Sequence, residues 1–365
     1  MKFFFLTILI ILPLPESPGQ AHGGSSIVAI DTVRMVFVGD VMGHSVQTNG
    51  AWRDGGDSCY NYMPAFQWIK DYIASADIAV ANLEVTLAGE PYTGYPRFSS
   101  PLSLATALKN TGFDVLTTAN NHTLDRGKTG LERTIDILDS IGMPHTGSFK
   151  DMAARDTSCP LIIRKNNFII ALLNYTYGTN GLAAEQPNVV NYIDTVQIAA
   201  DMATAQNMDA DYIITCIHWG DEYSTAENTV QHRLAAFLAS HGSNLVVGTH
   251  PHVVQPVARI AVNAGDTVAV AYSLGNFVSN QRERYRNGGI AMEVTLTKTG
   301  HATNVLSLNY EPLWVLRHNT PAGYVFRIIP VNDFIARPER YPQVNGNDKN
   351  SIMQFYTDTK TITGM

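Results

Sequence analysis

Asp40, Glu84, Asn121, His122, His218, His250 and His252 each stand within a few residues of the end of a short apolar run. Carboxylate, amide and imidazole groups together suit Mn, Zn, Fe or Co better than thiolate-preferring or purely oxygen-liking ions. Such an ion activates a water and polarises a phosphoryl or carbonyl oxygen. The ligand count allows one or two ions, with Glu84 the natural bridging carboxylate. In Thr249-His250-Pro251-His252, two histidines flank a rigid proline and project in fixed, divergent directions. That suits two neighbouring ions, or one ion and a phosphate. Each motif alone has an ordinary explanation. Gly39-Asp40 reads as a turn, Asn120-Asn121-His122 as the cap network of the next helix, and His218 as a satisfied buried histidine. Their recurrence at five run ends argues for one common site.

The runs themselves read as strands. Met35–Val38 leads into Gly39-Asp40, and Ile78–Ala81 into Asn82-Leu83-Glu84. Asp114–Ala119 leads into Asn120-Asn121-His122, Tyr212–Ile217 into His218-Trp219-Gly220-Asp221-Glu222, and Leu245–Val247 into Gly248-Thr249-His250. Short β-rich runs without polar alternation belong to strands buried on both faces, as in a parallel sheet. Open α/β sheets bind their ligands beyond the carboxyl ends of such strands, so all five ends are expected on one sheet edge. Helical patterns fall between them. Thr129–Ile141 sets Leu131, Ile135 and Leu138 on one face, Asp194 can cap Thr195–Met208, and Asn228–Ser240 ends at His241-Gly242. This alternation predicts an α/β fold with a largely parallel sheet. From Gly289 onward Ile290–Leu296, Val305–Tyr310, Leu313–Leu316 and Tyr324–Pro330 read as strands of an antiparallel sheet, with Val268–Ser273 as the junction. A short helix is expected at Ser351–Tyr356.

A chain of 365 residues with 45% hydrophobic content can bury one large core. Its net charge of -7 argues against a general nucleic-acid or anionic-membrane surface. An anionic substrate stays compatible, because a metal and a few arginines reverse the field locally. Lys2, the apolar Phe3–Leu12, prolines at 13, 15 and 18, and Gly19-Gln20-Ala21 form a signal-peptide pattern over residues 1–21. The apolar stretch is shorter than the roughly 20 residues that span a bilayer. An exported protein, periplasmic or at the cell surface, is therefore expected, touching the membrane only if the segment stays uncleaved. Three cysteines make no disulfide framework: Cys216 reads as a buried thiol, and Cys59 with Cys159 is an open pairing.

The ordered motifs Phe37-Val38-Gly39-Asp40-Val41-Met42, Ala81-Asn82-Leu83-Glu84, Ala119-Asn120-Asn121-His122 with Asp125, His218-Trp219-Gly220-Asp221-Glu222-Tyr223, Gly248-Thr249-His250-Pro251-His252 and Tyr272-Ser273-Leu274-Gly275-Asn276-Phe277 resemble the CapA (PgsA) family. These are bacterial proteins tied to poly-γ-glutamate capsule synthesis, with a domain like calcineurin-type metallophosphoesterases. The resemblance, over roughly Val33 to Phe277, implies a layered metallophosphoesterase-like α/β fold for the main domain at 33–280; the residue patterns add a signal peptide at 1–21, a C-terminal β extension at 281–337 and a polar tail at 338–365. It implies that Asp40, Glu84 and His252 hold one ion, and that Glu84, Asn121, His218 and His250 hold the other. His122 would be the proton donor, tuned by Asp125. The departure is Met42, where the wider pattern has histidine; His44 follows two residues later. Arg97, Arg126 and Asn276, with the cluster Arg282, Arg284 and Arg286, are the candidates to meet an anionic polymer or a phosphorylated small molecule. Three functions follow: a capsular-polyanion protein working with synthesis machinery, a metal-dependent phosphoesterase or other hydrolase unrelated to capsule, and a non-enzymatic polymer-binding scaffold.

Overall fold

The computed structural model describes residues 30–263 and 266–364. The expected signal segment and the linker after it lie outside the described residues. In chain order come strand β1 (Asp31–Val41), helices α1 (Ser45–Asp54), α2 (Met63–Phe66) and α3 (Lys70–Ala74), β2 (Ile78–Leu83), α4 (Ser103–Thr111), β3 (Val115–Thr117), α5 (Gly127–Ser140) and β4 (His145–Thr146). β1 to β4 pair in parallel.

The middle of the chain supplies β5 (Ser148–Phe149), α6 (Met152–Ser158), β6 (Leu161–Lys165), β7 (Phe168–Thr176), β8 (Val189–Val190), α7 (Thr195–Asn207), β9 (Tyr212–His218), α8 (Thr229–Ser240), β10 (Leu245–Thr249), β11 (Val257–Asn263) and β12 (Asp266–Ala271). Its sheet has the order β11-β12-β10-β9-β7-β6, parallel inside and antiparallel at both edges. The last part comprises β13 (Asn276–Val278), β14 (Gly288–Thr299), β15 (Ala302–Thr320), β16 (Gly323–Pro330), α9 (Val331–Ala336) and α10 (Gly346–Thr363). β14 lies antiparallel to β1, so the first sheet continues as β16-β15-β14-β1-β2-β3-β4. Parallel strands in the first part and antiparallel ones in the last are the α/β architecture expected.

Two apolar faces per strand explain the layers. Met35, Phe37, Ile78 and Val80 of the first sheet meet Ile170, Leu172, Ile214 and Val247 of the second in one buried cluster. The alternate residues face outward: Val36, Val38 and Ala79 pack on Phe66, Leu104 and Leu108, while Leu173, Ile213 and Ile217 pack on Ile198, Met202 and Leu234. The result is two stacked sheets with helices on both outer faces. Asp194 caps α7 by accepting from the N–H groups of Val196 and Gln197, and Asn228 caps α8 in a capping box with Gln231.

Four expectations change. The five strand ends do not share one sheet edge: β1, β2 and β3 belong to the first sheet, β9 and β10 to the second. What unites them is the crossing Tyr272–Asn276, where Leu274 N–H donates to Gly248 O at 3.0 Å and Gly275 O accepts from Asp40 N–H at 3.0 Å. A Cβ on Gly39 would stand 1.8 Å from Gly275 O, and one on Gly248 2.0 Å from Tyr272 O, so both strand ends need glycine. Val268–Ser273 is accordingly not the junction, since β12 lies inside the second sheet and the crossing follows it. Val305–Tyr310 and Leu313–Leu316 are one strand, β15. Pro312 is tolerated there because β16 pairs only from Leu313 onward, leaving Pro312 a neighbour on β14 alone. The short helix expected at Ser351–Tyr356 is the longer α10, which buries Ile352 and Phe355 against Trp314.

Among the described residues all three cysteines are free. Cys159 is buried beside Asn191, whereas Cys59 is exposed beside Gly55, so the open pair is not formed. No described helix is long and apolar enough to cross a membrane.

Candidate metal centre

Two groups of buried side chains converge where the strand ends of the two sheets meet: Asp40, Glu84 and His252, and Glu84, His218 and His250. Glu84 belongs to both. Its Oε1 lies 3.6 Å from His252 Nε2 and 3.7 Å from His218 Nε2, and has no hydrogen-bond partner among the described residues. His250 Nδ1 is likewise buried without a partner. Orphaned buried acceptors of this kind cost stability unless something occupies them. Asn121 Oδ1 stands 3.1 Å from His218 Nε2. Ligand atoms about 2.1 Å from a common ion lie roughly 3.0–3.4 Å apart at octahedral to tetrahedral angles. The donor types fit divalent ions, and the Asn121–His218 spacing matches, while Glu84 Oε1 stands a few tenths of an ångström wider from both rings.

The surroundings fix which nitrogen each ring presents. Asn276 Nδ2 donates to His252 O, Gln281 Oε1 and Arg286 O, so its Oδ1 is the atom facing His252 Nδ1 at 3.1 Å. His252 thus carries its hydrogen on Nδ1, between Asn276 and Asp40 Oδ2 at 3.0 Å, and leaves Nε2 as the lone pair toward Glu84. Thr249 Oγ1 meets His218 Nδ1 at 3.0 Å. Asn82, unassigned from sequence, donates from Nδ2 to Asp40 Oδ1 at 2.8 Å and approaches Glu84 Oε2 at 3.4 Å. Asn120 in turn donates to Asn82 Oδ1 and Leu83 O. Both asparagines sit at strand ends, and that position was the signal available in the sequence.

Electrostatics point the same way. Burial, then the neighbouring Asp40, pushes the Glu84 carboxyl well above the usual range. Burial acts most strongly and would raise Asp40, but the neighbouring His252, Asn82 and Glu84 side chains together outweigh it and hold that carboxyl low. Burial and the other imidazoles hold His218 far below its ordinary value and His250 down at about 3, so both rings are neutral lone-pair donors. The backbone is strained here as well: His250 has φ 100° and His252 φ 58°, a region that costs non-glycine residues on the order of 1–3 kcal/mol each.

His122, the residue after Asn121, is buried beside this cluster. Asp125 Oδ2 faces His122 Nδ1 at 2.8 Å and also accepts from Phe98 N–H at 2.7 Å, while the Phe98 ring packs edge-on at 4.7 Å. This fixes the ring with Nδ1 engaged. Met42 is sealed in the core of the first sheet and presents nothing to the cluster. His44 does not join either ligand group; its Nδ1 meets Gln47 Oε1 at 3.0 Å, and burial holds its pKa down at about 4.

The residues expected to meet substrate divide. Asn276 is fully buried and spends its amide holding His252, so it positions a ring instead of facing a ligand. Arg282 turns away: its guanidinium donates to Val315 O at 2.9 Å over the Trp314 ring, and burial lowers its pKa to about 10. Arg284 pairs with Asp358 of α10. Arg286 is the member of that trio near the cluster, its guanidinium 3.5 Å from the Tyr223 ring centroid, and Tyr223 stacks toward His252. Tyr177 lies over His250 and His218 on the other side. Arg97 is exposed, on the wall of a cavity that includes Asp125.

Taken together, the fold and the cluster define a two-sheet α/β protein with a candidate metal centre at the crossing of its sheets. The chain belongs to the family of bacterial capsule synthesis proteins, PGA_cap, which it matches over residues 34–281, more than half its length. It is 27% identical over 278 residues to the PGA biosynthesis protein CapA of Bacillus subtilis, covering 74% of this chain and 69% of that one. It is 26% identical over 293 residues to the capsule biosynthesis protein CapA of Bacillus anthracis, covering 77% and 68%. Among solved structures it is similar to the calcineurin-like phosphoesterase YfkN of Bacillus subtilis, with a TM-score of 0.48 and 14% identity, covering 91% of this chain and 98% of that chain.

Proposed function

We propose that this is an exported protein of poly-γ-glutamate or related capsular polyanion synthesis, whose sheet crossing is a two-ion hydrolytic centre. The observation that carries the reading is Glu84 Oε1, buried and unpartnered between the Nε2 atoms of His218 and His252. On this reading Asp40, Glu84 and His252 hold one ion, and Glu84, Asn121, His218 and His250 the other. The ions would supply an activated water and a polarised phosphoryl oxygen. Asn82 bridges the two carboxylates from one amide nitrogen. His122, with Nδ1 held by Asp125, presents Nε2 to give a proton to the leaving oxygen. The substrate class is a phosphorylated small molecule or polymer precursor, and the leader pattern over residues 1–21 supports work outside the cytoplasm alongside capsule machinery.

Metal analysis of the purified chain tests it. Two equivalents of Mn, Zn, Fe or Co are expected, falling to one or none in His252→Ala, with metal-dependent phosphoester cleavage lost in His122→Ala. The burial of Met42 favours a second reading, a polymer-binding protein that has kept one ion or none. Fewer than two equivalents with no turnover would select it.

A further inference from the structure

A cavity of about 570 Å³ opens between the 93–97 loop, the turn from Leu124 to Gly127 and the 182–185 loop. We propose that it is a subsite for one anionic group, a carboxylate or a phosphate, carried on the part of the substrate that leaves with the proton from His122. This deepens the hydrolytic reading and rests on it for the identity of the leaving part.

Three observations carry the proposal. Asp125, whose carboxylate holds His122, also lines the cavity, so a ligand seated there lies beside the proton donor. Phe98, the residue after Arg97, packs its ring edge-on against His122 at 4.7 Å. The wall segment that carries Arg97 is thus held against the proton donor. Two guanidiniums from separate elements then converge on this space, those of Arg97 and Arg126. Arg126 is fixed by donating from Nη1 to Pro91 O and Thr93 Oγ1, both at 3.2 Å. The Arg97 guanidinium makes no hydrogen bond or ion pair among the described residues. Of the two carboxylates in the lining, Asp125 already accepts from Phe98 N–H and faces His122 Nδ1, which leaves Glu185 opposite the two arginines. The unpaired planar fork of Arg97, backed by Arg126, suits a compact oxyanion.

The experiment uses the full chain stripped of metal with a chelator, so that the metal centre contributes nothing. Binding of inorganic phosphate and of γ-glutamylglutamate is measured by calorimetry on wild type, Arg97→Ala and Arg97→Lys. At least one probe is expected to bind wild type, about tenfold more weakly to Arg97→Ala, with most of the loss recovered in Arg97→Lys. The probe that binds names the source of the anion. Absence of binding for both probes, or binding indifferent to Arg97→Ala, overturns the subsite. Either result leaves metal stoichiometry untouched, so failure here is distinguishable from failure of the hydrolytic reading.

Discussion

The strand ends at the sheet crossing and the antiparallel extension from Gly288 to Pro330 bury charged groups by opposite rules. In the extension each of these charged groups has a partner, although Arg327 Nε and Trp314 Nε1 are buried without one among the described residues. Arg327 forks onto Asp54 at 2.8 and 2.9 Å, Lys298 meets Asp211 at 2.7 Å, and Glu311 accepts from the Asn332 backbone and amide at 2.8 and 2.9 Å. At the crossing, Glu84 Oε1 and His250 Nδ1 are buried without one, beside two histidines at positive φ. Unanswered polarity and strain are features selection retains where function gains from them. What sets the crossing apart is that its unpartnered groups converge on one point and sit beside strained histidines, an arrangement suited to a ligand.

The sharpest way to break this contrast is His250→Gly. Glycine accepts φ 100° at little cost, so the chelated protein should be as stable as wild type or more stable by about 1 kcal/mol. Metal content should fall by at least one equivalent and any metal-dependent turnover by about 100-fold or more. Thermal melts in chelator, metal analysis and a phosphoester assay read the three quantities. A large loss of stability without metal would mean the crossing is structural after all. The mirror experiment is Asp54→Ala, which leaves the buried Arg327 guanidinium unpaired and should cost about 3 kcal/mol in denaturant unfolding. Metal content should not move.

Glu311 sharpens the contrast by pH. Burial outweighs its two hydrogen bonds from Asn332 and raises its pKa from 4.5 to about 7. The folded state thus holds the proton more tightly than the unfolded one. The stabilisation is complete below pH 4.5, declines as pH rises through 7, and amounts to on the order of 2 kcal/mol after allowance for partial exposure. Wild type should therefore lose stability between pH 5 and pH 8 (roughly that window) relative to Glu311→Gln, whose profile is flatter. Coincident profiles would show that solvent reaches the carboxylate.

The strands were legible because parallel ladders buried on both faces leave unbroken apolar runs, and β1, β2, β3, β9 and β10 all carry them. Helix starts at Asp194 and Asn228 were legible for an equally local reason, a side chain that binds the next N–H groups. The division of the strand ends between two sheets was not, because it depends on the Tyr272–Asn276 crossing, and nothing local in that motif says which glycines it touches. The destinations of Arg282 and Asn276 were hidden likewise. Both lie in polar stretches that read as substrate-facing, and only tertiary packing sends one onto Trp314 and the other behind His252. The continuity of β15 through Glu311 and Pro312 was hidden too, because it depends on which neighbour each residue meets across the sheet.

The smallest test acts on neither region directly. Asp194 Oδ1 accepts from Val196 N–H at 2.8 Å and Gln197 N–H at 3.4 Å, and the helix it starts seals the outer face of the second sheet with Ile198, Met202 and Ala205. Asp194→Ala leaves those donors to water and should cost about 1 kcal/mol, read as a shift in the denaturant midpoint. β9 and β10, which carry His218 and Thr249 to the crossing, lie directly under that helical layer. If the cluster is held by the Tyr272–Asn276 crossing, its metal stoichiometry will not respond to a loosened cap. If it does respond, the second sheet transmits strain to its strand ends, and stability and site cannot be assigned to separate parts of the molecule.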